Sequence, residues 1–150
     1  MTATADFSGR GLAFPFGVEP NGALATTQGV ANLEKAMRIV LSTYLGERPM
    51  RPNFGSLLRD FVFAGVTPEN AAAIAAEVSR ALYECEARVD VDAVDVTVAP
   101  DEDGRFDIEI GYTVKDTNEP HNLVVPFYAI PGEPGQSGPP ALSGLPEEEV

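Results

Sequence analysis

The spacing of apolar positions changes several times along the chain, and each change marks an element. From Arg10 the period is two. Leu12, Phe14, Phe16 and Val18 fall on one face, with Gly11, Ala13, Pro15 and Gly17 opposite. This predicts a strand over 10–18, and Pro15, which has no N–H, makes it an edge strand or an extended arm. Pro20-Asn21-Gly22 then marks a turn. From about Gln28 to Leu45 the period becomes helical: Val30, Leu33, Met37, Val40, Leu41 and Tyr44 recur at three- and four-residue spacing, while Glu34, Lys35 and Arg38 face out. Thr27 is placed to cap this helix, and Gly46 to end it in a left-handed conformation.

The segment Glu47-Arg48-Pro49-Met50-Arg51-Pro52-Asn53-Phe54 breaks the helix. Its two prolines remove two donors and push Arg48 and Arg51 towards extended geometry, which predicts a stiff charged loop. Ser56 then reads as the cap of a short helix that turns Leu57 and Phe61 inward. Thr67-Pro68-Glu69 is a helix start with a capping threonine, proline at the first helical position and an acid in the first turn. Ile74, Val78, Leu82 and Cys85 follow on one face, and the helix is expected to end near Arg88.

The remaining pattern is β. Val89 and Val91 are out of phase with Val94, Val96 and Val98, so a bulge is expected at Ala93. Asp101-Glu102-Asp103-Gly104 reads as a hairpin loop. Phe106, Ile108, Ile110, Tyr112 and Val114 alternate with polar or small residues in the clearest strand of the chain. Lys115 to Asn122 reads as a turn, and 122–130 as a last strand interrupted by Pro126. The fold class is therefore α+β: one domain with two long helices on a mostly antiparallel sheet. Residues 1–9 read as a mobile arm, 10–131 as the domain, and 132–150 as a disordered Pro/Gly-rich acidic tail. Nine of the last twenty residues are Pro or Gly, too few apolar groups to build a core.

Charge narrows the partners. The 150 residues carry 10 Lys and Arg against 23 Asp and Glu, a net charge of −13. Such a surface repels phosphate backbones and anionic lipid heads, so nucleic acid and membrane are not expected partners. The N-terminal sequence lacks a basic stretch followed by an apolar one, and no apolar run approaches the roughly 20 residues that span a bilayer. A soluble, cytoplasmic protein is expected.

Candidate chemistry is sparse. Cys85 and His121 are single and distant, without ligand spacing, so no metal or cofactor is expected. Cys85 lies on the apolar face of a helix and reads as core. His121, beside Glu119 and Pro120, reads as part of a solvated turn. Sugar cleavage needs two carboxylates with divergent pKa values, and Glu47 with Asp60 is the one pair available to it. The proline-stiffened loop fits two descriptions. Glu47 can pair internally with Arg51 or Arg59, or Arg48 and Arg51 can serve a preorganised binding surface.

Gly-Arg-Gly-Leu-Ala-Phe-Pro-Phe at 9–16, the long helix, and Gly-Glu-Arg-Pro-Met-Arg-Pro-Asn-Phe-Gly-Ser at 46–56 together resemble the small baseplate wedge subunits of contractile phage tails. That family is often labelled gene-twenty-five-like or lysozyme-like and has a counterpart in type VI secretion baseplates. Asn122-Leu123-Val124-Val125-Pro126-Phe127 is similar to the family's last strand. The resemblance implies a non-enzymatic structural part, built in several copies into a sixfold particle. Its implied partners are larger wedge subunits, the sheath protein, and hub or spike components. It further implies that Glu47, Arg48, Pro49 and Arg51 form a wedge-docking loop, with Glu47 orienting one arginine. In several members of the family this loop reads Glu-Pro-Arg, whereas here it reads Glu-Arg-Pro with a second Arg-Pro at 51–52, so either Arg48 or Arg51 can be the docking arginine. Leu123, Val124, Val125 and Phe127 would form an edge strand that templates the sheath. The rival expectation is a peptidoglycan hydrolase of a phage tail, with Glu47 catalytic.

Overall fold

A computed structural model describes residues 9–65, 67–99 and 104–129. The centre of the molecule is a three-stranded antiparallel sheet of β3 (Val89–Val98), β4 (Arg105–Val114) and β5 (Glu119–Tyr128), in the order β3-β4-β5. The alternation of β4 decides its place. Phe106, Ile108, Ile110, Tyr112 and Val114 are all buried on one face, at roughly 1.5–3 kcal/mol each. β3 and β5 each pair along its full length, so β4 is the strand the fold can least spare. The register of β3 on β4 slips between Val91 and Ala93, the bulge that the phase of the valines predicts.

Two helices cover that apolar face. α1 (Val30–Ser42) buries Leu33, Met37, Val40 and Leu41, and α2 (Pro68–Cys85) buries Ile74, Val78, Ala81 and Leu82. α2 starts as expected: Thr67 Oγ1 accepts from the Asn70 N–H at 3.2 Å, with Pro68 in the first turn. It stops at Cys85 rather than near Arg88, because Val89 already belongs to the β3–β4 ladder.

The bounds of α1 correct the sequence reading. Thr27 is not its cap, because Thr27 pairs with Gly11 in a small two-stranded sheet of β1 (Arg10–Leu12) and β2 (Thr26–Gln28). Gly29, at φ 68°, turns the chain into the helix instead. Gly46 is not its stop either. The helix ends at Ser42, and Thr43 leaves it with extended ψ because Tyr44 forms a parallel bridge with Ser56. Gly46 keeps its left-handed φ of 84° inside the following loop.

Three further expectations change. The segment 10–18 is not one strand: it pairs as β1 only to Leu12, passes a cis Phe14–Pro15 bond, and rejoins the returning chain at a Val18–Leu24 bridge. The result is a hairpin that turns at Pro20-Asn21-Gly22, with Gly22 at φ 82°. The last strand starts at Glu119 rather than 122, so His121 is in β5, half-buried and stacked on Tyr112 with ring centroids 5.6 Å apart, not in a solvated turn. Beyond Ser56 the short helix is a 3-10 segment, Leu58–Phe63, whose cap position is Leu57. The expected mobile arm, apart from Gly9, the hairpin-loop residues Asp101–Asp103 and the tail from 132 lie outside the described residues.

Candidate interaction surfaces

The loop from 43 to 56 is tied down by its own backbone. Ser56 N–H donates to Thr43 O at 2.9 Å, Leu45 N–H to Ser56 O at 3.3 Å, and Gly46 N–H to Pro52 O at 2.8 Å. Ser56, 1% exposed, donates its hydroxyl to Leu41 O at 2.8 Å, which fixes the loop to the last turn of α1. Gly55 sits at φ 124° with Thr43 O directly against the place a Cβ would take, so only glycine fits there. Leu57 N–H donates to Glu77 Oε1 at 2.7 Å, which joins the loop's exit to α2. Cys85 Sγ lies 3.8 Å from Asn53 O behind the loop, packed against the core.

On this frame the charged side chains sort into two groups. Glu47 accepts from the Tyr44 N–H at 2.9 Å and lies 3.8 Å from Arg59. Arg59 in turn stacks over the Tyr44 ring at 5.2 Å. Glu47 therefore orients neither Arg48 nor Arg51. Those two cations instead share the ring of Phe54, with guanidinium carbons 4.1 Å and 5.6 Å from its centroid. Stacking fixes each guanidinium by its face and leaves its N–H edge directed to solvent. Among the described residues neither arginine has a carboxylate partner. Pro49, Met50 and Arg51 are exposed beside them, Met50 at 93%.

The Glu47–Asp60 pair is likewise accounted for by local structure. Asp60 accepts from the Tyr44 hydroxyl at 3.0 Å, and that hydrogen bond, followed by the charge of Asp60, pushes the Tyr44 pKa up. One carboxylate is thus held by the tyrosine's backbone and the other by its hydroxyl, both at the exposed surface. Among the described residues no group of His, Cys, Asp and Glu could hold a metal ion.

The sheet supplies a second surface. Among the described residues β5 pairs only with β4, and the strand at 10–12 pairs with β2, so that strand does not cover the β5 edge. Both outer strands are edges, but they differ in chemistry. β3 carries Asp90, Asp92 and Asp95, whereas β5 has no Asp, Glu, Lys or Arg between Pro120 and Tyr128. Pro120 and Pro126 offer no N–H, which blunts part of the edge. Leu123 is buried, Val125 and Phe127 are half-buried, and Val124 is 47% exposed on the opposite face.

Two surfaces escape the sequence reading. The hairpin exposes Leu12, Phe14, Phe16, Val18 and Leu24, with Phe14 at 75% and Phe16 at 72%. Their alternation is legible, but their exposure among the described residues is not. Beside the hairpin a groove of about 680 Å³ runs between α1, the 3-10 segment and the inner side of β5. Lys35, Arg38 and Arg59 stand on it, and no carboxylate lines it. Its walls come from five separate stretches of sequence, so no local signal announces it.

Comparison with known proteins places this geometry. Residues 27–119 match the family model described as baseplate wedge protein gp25. The chain is 29% identical over 96 residues to the baseplate wedge protein gp25 of Enterobacteria phage T4, covering 64% of this chain and 72% of that protein. A crystal structure of a candidate tail lysozyme from Geobacter sulfurreducens is 36% identical with a TM-score of 0.63, over 71% of this chain and 97% of that one. A chain of the anti-feeding prophage baseplate, solved by cryo-electron microscopy, is 27% identical with a TM-score of 0.64, over 73% of this chain and 90% of that one.

Proposed function

This chain belongs to the baseplate wedge protein gp25 family, and we propose that within the wedge of a contractile tail or injection system it is a structural adaptor that catalyses nothing. Its loop at 47–51 docks onto a larger wedge subunit. The observation that carries this reading is the pair of guanidiniums of Arg48 and Arg51, preorganised on Phe54 and without a carboxylate partner among the described residues. A surface of that kind loses little conformational entropy on docking and reads carboxylates or carbonyls directionally. Glu47 serves the loop's own shape through Tyr44 and Arg59, which is why the hydrolase reading is the weaker one. Changing Arg48 and Arg51 together to Ala should abolish assembly with purified wedge subunits, measured by co-sedimentation, while the melting temperature of the isolated chain holds. Truncating one side of a desolvated charged contact typically costs roughly 2–5 kcal/mol of binding. Normal assembly of the double variant, or lysis of cell-wall sugar that Glu47→Gln removes, would reverse the assignment.

The β5 edge, free of Asp, Glu, Lys and Arg from Pro120 to Tyr128, supports a second role, accepting a strand donated by a sheath subunit and so templating the sheath. Amide hydrogen exchange over 119–128 should slow when sheath protein is added. Exchange that is already slow and does not change would mean that the edge is occupied within the chain.

A further inference from the structure

α2 does not fill the space beside β3. It meets that strand with alanines, and Ala71, Ala72 and Ala75 leave a groove of about 460 Å³ against Val94, Val96 and Val98. Val98 is 51% exposed although it stands across from the fully buried Phe106. The inner face of the sheet is thus apolar up to its β3 edge but covered only part of the way.

The same three valines carry the free backbone groups of that edge. Ala99 N–H donates to Arg105 O at 2.9 Å, so these two residues form a hydrogen-bonded pair. Bonded and non-bonded pairs alternate along an antiparallel ladder, and the register from Val94 to Val98 is unbroken. Asp95 and Thr97 are therefore bonded to Glu109 and Asp107, while the N–H and C=O of Val94, Val96 and Val98 point away from β4. Among the described residues no strand lies on that side. A further strand laid there would satisfy these groups and turn every second side chain into the groove.

The opposite face of β3 decides what the alternate side chains must be. Asp90 and Asp107 have cations of their own, Lys115 and Arg105. Asp95 stands directly across from Glu109, an arrangement of like charges that destabilises a sheet. Among the described residues neither of these two carboxylates has a cation. Asp92, which accepts from the Thr113 hydroxyl at 2.7 Å, adds a further negative charge to this strand. Acids on an edge repel an ordinary or acidic strand and favour a basic one.

We infer that the β3 edge accepts an extended segment of a partner protein in which small apolar residues alternate with Lys or Arg. The apolar side chains enter the groove beside Ala72 and Ala75, and the cations lie along Asp95 and Glu109. No two Lys or Arg of this chain stand two residues apart, so a second copy cannot supply such a strand. The site is separate from the 47–51 loop and from the β5 edge, and each can fail without the others.

The test uses the full chain and a capped synthetic peptide, Lys-Val-Lys-Val-Lys-Val-Lys. The amides of Val94, Val96 and Val98 should exchange rapidly in the free chain and several-fold more slowly with the peptide, while the Glu-Val counterpart has no effect. Two variants should each weaken peptide binding several-fold: Ala72→Phe, which fills the groove from an exposed helix position, and Asp95→Asn with Glu109→Gln, which removes the charge. The second does not depend on the first being tolerated by the fold. Protection of the three valine amides already present in the free chain would overturn the inference, because the edge would be occupied. Equal effects of the two peptides, protection that appears on 119–128 instead, or binding undiminished in the charge variant would overturn it as well.

Discussion

The hairpin at 10–28 and the loop at 43–56 hang from opposite ends of α1, and both are stiffened by proline, yet they are built in opposite ways. The loop closes on itself. Buried Ser56 and Gly55 lock it to Leu41 and Thr43, and its charged side chains stand on a frame they do not have to create. The hairpin is held through its backbone, by Ala13 N–H to Ala25 O and Ala25 N–H to Gly17 O, both at 2.9 Å, while its large side chains are largely exposed. A surface of the first kind suits directional polar contacts, because its geometry exists before the partner arrives. One of the second kind offers apolar area whose energy is released only in a complex. Stability should therefore respond strongly to changes in the loop frame and hardly at all to changes on the hairpin.

The largest effect is expected at Gly55. Gly55→Ala forces a side chain into a left-handed φ of 124° and presses its Cβ on Thr43 O, a backbone atom that cannot move without breaking the Ser56–Thr43 bond. The expected loss is about 3 kcal/mol or more in urea unfolding, from backbone strain and displaced hydrogen bonds together. A variant that unfolds with the parent would show that the loop's ties are incidental to its shape.

Next comes Glu77, which joins the loop to α2. Burial disfavours its charged form, but hydrogen bonds from Arg80 and the Leu57 N–H, with the charge of Arg80, outweigh that and pull its pKa below the usual 4.5. A carboxylate with a depressed folded pKa stabilises above its unfolded value and loses that contribution as pH falls through the folded one. Glu77→Ala should cost about 2 kcal/mol at neutral pH, since the Leu57 N–H is left without its acceptor. It should also flatten the fall of melting temperature below pH 4.5. An acid limb as steep as the parent's would assign that limb to other carboxylates.

The contrast also explains which parts were legible from sequence. β4 and the start of α2 could be read because their signals are local: strict alternation from Phe106 to Val114, and a Thr-Pro-Glu start at 67–69. The bulge near Ala93 was legible for the same reason. The end of α1 was not, because the deciding contact is between Tyr44 and Ser56, across the loop, and Gly46 offered a plausible local stop. His121 was misplaced because Pro120 beside it imitates a turn signal, whereas the ladder with β4 runs straight through Pro120. Arg48 and Arg51 could be nominated from composition. Arg59 could be nominated beside Arg51 as a partner of Glu47; the choice between them, and the common support of Arg48 and Arg51 on Phe54, depend on how the loop folds back.

The smallest effect on stability is expected where the apolar content is most conspicuous. Phe14 and Phe16 touch each other edge-to-face at 6.1 Å and are otherwise largely open to solvent. Replacing both with Ser removes only that ring contact and exposed area, so the isolated chain should change by no more than about 0.5 kcal/mol. The backbone bonds at Ala13 and Ala25 do not involve either side chain and should survive, visible as unchanged amide protection along 10–28. In the wedge the same double change should weaken co-assembly, because burial of a phenylalanine from that degree of exposure is worth roughly 1.5–3 kcal/mol. A destabilisation of the isolated chain well above 1 kcal/mol would invert the comparison. The hairpin would then be packed in solution, and its exposed face would be a core surface already covered before assembly begins.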